Sequence, residues 1–235
     1  MFIFQIYHDK TQIPYYVANH IQKLNPNCVY KLIDFNEGKN IIRENFIYKD
    51  MIDRILYCID NYPRYCHKSD LLRYCLLYIY GGIYLDVDLK PMIPFSEMVS
   101  KDIDFLTSFG RAGEPFTINN TMVYPVTSNG IIMSKKNNPI FIDLIKNAIN
   151  NEKLMSKNTD VRGENVFYLY NYLNEKCKQH KKMLEPFKKI ELDINLYLLN
   201  HILKANFDCI VDNNKILVMA NDKKYIFNRQ PSILI

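Results

Sequence analysis

Apolar and polar positions along this chain switch between two periods, and the switches predict its elements. Residues 2–7 form a short apolar run that predicts a strand, and 13–24 follow with helical spacing after Pro14. A second strand is predicted over 28–33, beyond the turn Asn25-Pro26-Asn27. Helices are predicted over 36–46 and 50–61. Pro63 opens a longer one that runs to Tyr80, where Gly81 and Gly82 end it. A short buried strand is predicted over 83–86, with further strands over 102–108 and 129–134. Helices over 138–150, 164–180 and 194–205 then precede strands over 207–211 and 215–219. No internal repeat and no Pro/Gly/Ser-rich linker interrupts this order. Such alternation predicts an α/β sheet with helices on both faces, in which a ligand sits at the carboxyl ends of the strands.

Composition narrows the function classes. A length of 235 residues suits one domain with a sizeable core, and 48% hydrophobic against 23% charged residues excludes wholesale disorder. A net charge of +5 is too small to indicate a nucleic-acid binder. The most basic stretch, KCKQHKKMLEPFKK over 176–189, reads as a solvated helix face, with an anionic membrane surface or acidic partner as the other reading. The longest apolar stretch, 75–85, contains Gly81-Gly82 and is too short to span a bilayer. The opening apolar run has no basic region before it, so a strand is expected rather than a signal peptide. These features predict a cytoplasmic protein with at most peripheral membrane contact. The six cysteines show no CxxC spacing and are expected to be reduced and mostly packed. With 18 tyrosines, 13 phenylalanines and no tryptophan, the chain carries an Asn/Ile/Lys/Tyr bias that weakens the meaning of any one tyrosine.

The densest chemistry lies in KSDLLRYCLLYIYGGIYLDVDLKP, residues 68–91. On a helix, Asp70 and Arg73 stand three residues apart and share a face. Leu71, Leu72, Cys75, Leu76 and Ile79 can supply its buried stripe. The double glycine lets the chain reverse and approach a ligand or neighbouring backbone closely. The following strand is expected to deliver Asp86 and Asp88 to one side, because alternate strand residues point the same way. Two carboxylates so placed repel unless a cation or protons compensate, and hard divalent ions such as Mg²⁺ or Mn²⁺ suit such a pair. A metal–diphosphate site is therefore expected, with Arg73 available to a phosphate or sugar oxygen.

This stretch resembles the signature of the DXD-containing sugar transferases of glycosyltransferase family 32. That family is typified by fungal initiating α-1,6-mannosyltransferases and is distantly similar to the glucosylating domains of clostridial toxins. The opening FQIYHDKTQIP is similar to the family's "IHQIW…IP", and Asn25-Pro26-Asn27 with Tyr30-Lys31-Leu32 to its next block. Thr127-Ser128-Asn129-Gly130, continuing to Asn138-Pro139, resembles its central block. The resemblance covers about the first 150 residues well and the rest thinly. It implies a GT-A-type fold, a Rossmann-like nucleotide-binding sheet flanked by helices with a small acceptor-side region. It also implies a single domain over 1–235, with the donor and metal core in 1–150 and a helical, closing region in 151–235.

The implied activity is transfer of a sugar from a nucleoside-diphosphate donor, UDP favoured over GDP, to a glycan or other hydroxyl acceptor with retention. Carried over by position, Asp88 binds Mn²⁺ or Mg²⁺ directly, and Asp86 contacts the ribose and the metal's water shell. Asp70 and Arg73 hold donor-sugar hydroxyls, or a phosphate in the case of Arg73. Asn129 is expected to face donor or acceptor. Tyr7 stands where the family has tryptophan and could stack on the base, although a plain strand aromatic is the alternative. The family's C-terminal "HxxxxSW" has its nearest counterpart in Asn228 and Ser232, as metal and diphosphate ligands respectively; a polar tail is the other reading. Residues 111–124 form the candidate acceptor-facing flap. His8 could approach the donor. Two other classes compete. A haloacid-dehalogenase-like phosphohydrolase also places DxD after an apolar strand, but it needs a small residue where Lys90 stands. An inactive transferase-like binding protein is the second.

Overall fold

A computed structural model describes residues 1–98, 102–110, 116–118, 121–123, 127–155, 164–204, 207–212 and 215–220. The opening run forms strand β1 (Phe2–Ile6), and the segment after Pro14 forms helix α1 (Tyr15–Leu24). Strand β2 (Val29–Ile33) follows, then α2 (Phe35–Asn45), α3 (Lys49–Asn61) and α4 (Tyr65–Tyr80). Asp34 caps α2 by accepting the Glu37 amide at 2.9 Å, which satisfies one otherwise orphaned donor. Next come β3 (Gly82–Leu85), β4 (Lys90–Pro91), β5 (Phe105–Phe109), and the small hairpin β6 (Phe116–Ile118) with β7 (Thr121–Val123). Strand β8 (Thr127–Ser134) and helices α5 (Ile140–Asn150) and α6 (Glu164–Gln179) precede β9 (Lys189–Glu191), β10 (Asn195–Lys204), β11 (Phe207–Asp212) and β12 (Lys215–Ala220).

The strands run in the order β2-β1-β3-β8-β5-β10-β11-β12-β4, with β9 paired to β10. The β2-β1-β3 unit is parallel, as helical crossovers require, whereas β8 is antiparallel to both β3 and β5. Alternation along the strands feeds two apolar layers. Phe4, Ile6, Tyr84, Phe105 and Ile132 meet helices α2 to α6 on one face, and Ile3, Ile83, Leu85, Leu106 and Ile131 meet α1 on the other. The expected α/β sheet flanked by helices is thus what forms.

Helix α4 sits inside the thicker layer, in contact with α2, α3, α5 and the sheet. Every residue from Asp70 to Ile79 is buried, which is why its sequence is apolar nearly all round. Its end shows what the double glycine does. Gly81 and Gly82 have φ of 64° and 98°, and a Cβ on Gly82 would collide with the Phe2 carbonyl oxygen. The turn therefore lets neighbouring backbone close in, and it lies at the opposite end of β3 from the aspartates.

One predicted element is wrong in type: where a helix was predicted over 194–205, the long strand β10 (Asn195–Lys204) forms. Leu196, Leu198 and Leu199 are all fully buried: β10 lies inside the sheet, flanked by β5 on one side and β9 and β11 on the other, and Leu196 and Leu198 enter one apolar layer while Leu199 enters the other. A strand covered on both faces carries an apolar run whose spacing imitates a helix. The basic stretch also differs from expectation. Helix α6 ends at Gln179, and Lys178, Lys188 and Lys189 pair with Glu175, Glu185 and Glu191. Cys58, Cys75 and Cys177 are free thiols in the core, whereas Cys66 is exposed. Among the described residues no helix is long and apolar enough to cross a membrane.

Candidate active site

Three strand ends meet above the first turns of α4. Because β1 and β3 are parallel, Tyr7-His8 and Asp86-Val87-Asp88 emerge at the same edge of the sheet. The antiparallel β8 brings its first residues to that edge, and the Asp86 amide donates to the Gly130 carbonyl at 2.7 Å. A cleft of about 370 Å³ opens there, lined by Tyr7, His8, Tyr65, Arg73, Asp86 and Asp88 among others.

Arg73 is the hub of its charged wall. Its guanidinium lies 2.9 Å from Asp70 and 3.5 Å from Asp86, and it donates to the Asn129 carbonyl. Its Cζ sits 4.2 Å from the centre of the Tyr84 ring, within cation–π range. Burial alone would ease its deprotonation, but Tyr84, Asp86 and Asp70 reverse that effect and hold the charge. Asp70 also accepts from the Asn129 side chain at 2.7 Å, and Tyr84 donates its hydroxyl to Asp86 at 2.5 Å. Spacing on the helix and the strand ends thus brings Asp70, Arg73, Asp86 and Asn129 into one network. The Asn129 amide is spent on Asp70, so its side chain positions that carboxylate.

The two motif aspartates are presented by a turn rather than by strand alternation. Strand β3 stops at Leu85, and the Leu89 amide donates to the Asp86 carbonyl at 3.0 Å, closing a tight turn over 86–89. The reason is the Asp86–Gly130 bond, which completes the pairing with β8 and leaves the next residues no strand partner. Gly130 has a second role here: a Cβ on it would lie 2.8 Å from an Asp86 carboxylate oxygen. The Asp88 carboxyl is pushed upward, first by protein crowding that displaces solvent and then by the charge of Asp86, with Arg73 opposing. Solvent at the cleft mouth, where Asp88 is exposed, tempers this rise without reversing it.

The same cleft carries an aromatic wall of which the sequence singled out Tyr7 and His8 but not Tyr65. The His8 ring lies 4.4 Å from Tyr7 and 4.4 Å from Tyr65, stacked on the latter at 5°, and Phe35 continues the column. Tyr65 is 57% exposed. Its position, one turn and a residue before Asp70 on α4, was the available signal, masked by the abundance of tyrosine. Cys66, Ser69 and Tyr84 line the cleft as well. His67 is buried in α4 near Tyr62.

Asn228 and Ser232 lie outside the described residues, as do 111–115, 119–120 and 124 of the expected flap; within that span the hairpin β6–β7 forms. Among the described residues no group of three His, Cys, Asp or Glu converges as a metal site. The donor set on hand is the pair Asp86 and Asp88. Two neighbouring carboxylates suit a hard divalent ion that keeps water and takes substrate phosphates as its remaining ligands.

Residues 14–106 match the glycosyltransferase sugar-binding region containing a DXD motif. The chain is 28% identical over 153 residues to an uncharacterized glycosyltransferase of Acanthamoeba polyphaga mimivirus, covering 64% of this chain and 57% of that one. It is 31% identical over 75 residues to the glycosyltransferase afumC of Aspergillus fumigatus, covering 31% of this chain and 19% of that one. It therefore spans 57% and 19% of the lengths of these two relatives. Among solved structures it is similar to the PaToxG glycosyltransferase, with a TM-score of 0.45 and 20% identity over 73% of this chain and 67% of the other. The resemblance to the DXD-containing sugar transferases read from the sequence is borne out.

Proposed function

We propose that this chain, whose residues 14–106 are a DXD-containing glycosyltransferase sugar-binding region, is an enzyme that transfers a sugar from a nucleoside diphosphate to a hydroxyl acceptor. The observation that carries the reading is the cleft itself: an Asp70–Arg73–Asp86 network beside Asp88 at one end and stackable aromatic rings at the other. That polarity fits a donor with a flat base and an anionic diphosphate. Tyr7, His8 and Tyr65 would receive the base, which every nucleotide offers as a π-face. UDP is the favoured donor nucleotide and GDP the alternative. Asp70, fixed by Arg73 and Asn129 behind the cleft lining, would accept from donor-sugar hydroxyls. Arg73 offers positive charge toward the diphosphate without moving, since it is already held on several sides.

Asp88, with Asp86, would hold Mn²⁺ or Mg²⁺. When bound, the cation supplies neutralisation of the charge on the departing diphosphate. The acceptor is a glycan or another hydroxyl compound, and transfer proceeds with retention, as the sequence resemblance implies. A haloacid-type hydrolase would not use the aromatic wall or the buried Asp70–Arg73 pair.

The test is a screen of UDP- and GDP-sugars for manganese-dependent release of the nucleoside diphosphate, run on the wild type and Asp88→Ala. Turnover of one donor class that is lost in Asp88→Ala supports the proposal. Release of phosphate from simple phosphate esters, with no nucleotide-sugar turnover, would overturn it.

A further inference from the structure

Gln5 is the polar side chain that the sheet buries completely beneath the motif turn. It lies on β1, on the α1 side of the sheet with Ile3 as its alternate neighbour, and it has no solvent exposure. A buried primary amide is costly unless its donors and acceptor are used. Here its Nε2 donates to the main-chain carbonyl of Asp86 at 3.2 Å. Its Oε1 accepts from the Tyr30 hydroxyl on β2 at 2.8 Å. A hydrogen-bonded line thus runs across three adjacent strands, from Tyr30 through Gln5 to the first motif aspartate.

The Asp86 main chain is held from several directions at once. Its carbonyl accepts from Leu89 within the turn and from Gln5 beneath it, and its amide donates to Gly130. The Leu89 bond closes the turn on itself but does not tie it to the sheet. Gly130 and Gln5 tie its first residue to the sheet, from β8 on one side and β1 on the other, and past the turn β4 is held by its pairing with β12. Without Gln5 the Asp86 end of the turn could shift about the Gly130 bond, carrying the carboxylates with it.

We infer that Gln5, itself oriented by Tyr30, is a positioning residue that fixes the 86–89 turn so that both carboxylates face a divalent cation in one arrangement. The inference rests on the reading of that turn as the cation site. Partners that act behind metal ligands in this way typically contribute roughly 10- to 100-fold in metal affinity. Gln5→Leu keeps the volume and removes both amide bonds. Tyr30→Phe keeps the ring packing and removes only the hydroxyl that orients the amide.

The experiment is calorimetric titration of the full chain with Mn²⁺ at saturating UDP, or GDP if that is the nucleotide the wild type binds. Thermal melting without ligand is run in parallel as the readout of a merely structural role. Gln5→Leu should weaken Mn²⁺ binding by roughly 10- to 100-fold, and Tyr30→Phe by a smaller factor with an unchanged ligand-free melting temperature. The double variant should be no weaker than Gln5→Leu, since Tyr30 acts through the amide. If the wild type binds Mn²⁺ and nucleotide together while both single variants titrate like it, the positioning role is overturned and the site reading stands. If the wild type shows no metal-dependent nucleotide binding, the site reading fails and takes this inference with it. Should Gln5→Leu fold poorly, Tyr30→Phe decides alone, and a wild-type titration in that variant overturns the inference.

Discussion

Replacing Arg73 with methionine removes a buried charge while keeping an apolar stem of similar reach. The Arg73 side chain is 4% exposed and its closest partner, Asp70, is 11% exposed, so this ion pair is far less screened than a surface pair. Removing one member of a buried pair costs about 3–5 kcal/mol, because the other charge is left in a poorly solvated site. Asp86 adds little to that figure, since its side chain is 36% exposed and 3.5 Å away. Lost packing on the Tyr84 ring falls within the same range. For a chain of this size each kcal/mol shifts the melting temperature by about 2–4 °C, so Arg73→Met should melt about 6–20 °C lower near neutral pH. Urea unfolding near neutral pH measures this directly. A variant within about 1 kcal/mol of wild type would refute the account of a buried, mutually supporting network.

Three further outcomes follow from the same geometry. Gly130→Ala should push the Asp86 carboxylate aside, because the new Cβ would lie 2.8 Å from its oxygen; UDP binding in Mn²⁺, read by calorimetry, should fall more than thermal stability does. Tyr65→Ala should remove a base-stacking surface worth about 1–3 kcal/mol, or roughly 5- to 150-fold in nucleotide affinity, with ligand-free melting little changed. Asp104 bridges the sheet through Lys135 and the Asn195 amide at 2.5 and 2.7 Å. Burial would raise its carboxyl, but these partners outweigh that and hold it below its ordinary value. The folded state therefore keeps this carboxylate ionised longer on acidification, and the stability it contributes is lost as pH falls through the lowered value. Asp104→Ala should cost about 1–2 kcal/mol at neutral pH, a difference that closes in strong acid during urea titration.

Much of the donor half was legible because local signals and tertiary needs coincide there. Helix α4 was legible as a helix with a buried stripe, its end is fixed by two glycines, and the spacing of Asp70 and Arg73 survives folding unchanged. The motif aspartates were identified, but not their turn, because the Gly130 bond that ends the strand is set by a partner 44 residues away in sequence, 130 against 86. Strand β10 was misread for a related reason: its place inside the sheet and the apolar layers on both of its faces are set by partners that its own spacing does not reveal. Tyr65 carried no mark that separates a stacking ring from the other aromatics of a tyrosine-rich chain. Gln5 is one polar residue in an apolar strand, and only its two tertiary hydrogen bonds set it apart.

The central claim is that Asp86 and Asp88 hold a divalent cation together with a nucleoside diphosphate. Melting of the wild type and Asp88→Ala with UDP or GDP, each with and without Mn²⁺, tests it most directly. Nucleotide at 100 times its Kd should stabilise the wild type by about 2.7 kcal/mol, or about 5–11 °C, only when Mn²⁺ is present, and Asp88→Ala should lose that gain. A wild type that neither nucleotide stabilises with metal, or an Asp88→Ala protein that keeps the full metal-dependent gain, would contradict the claim.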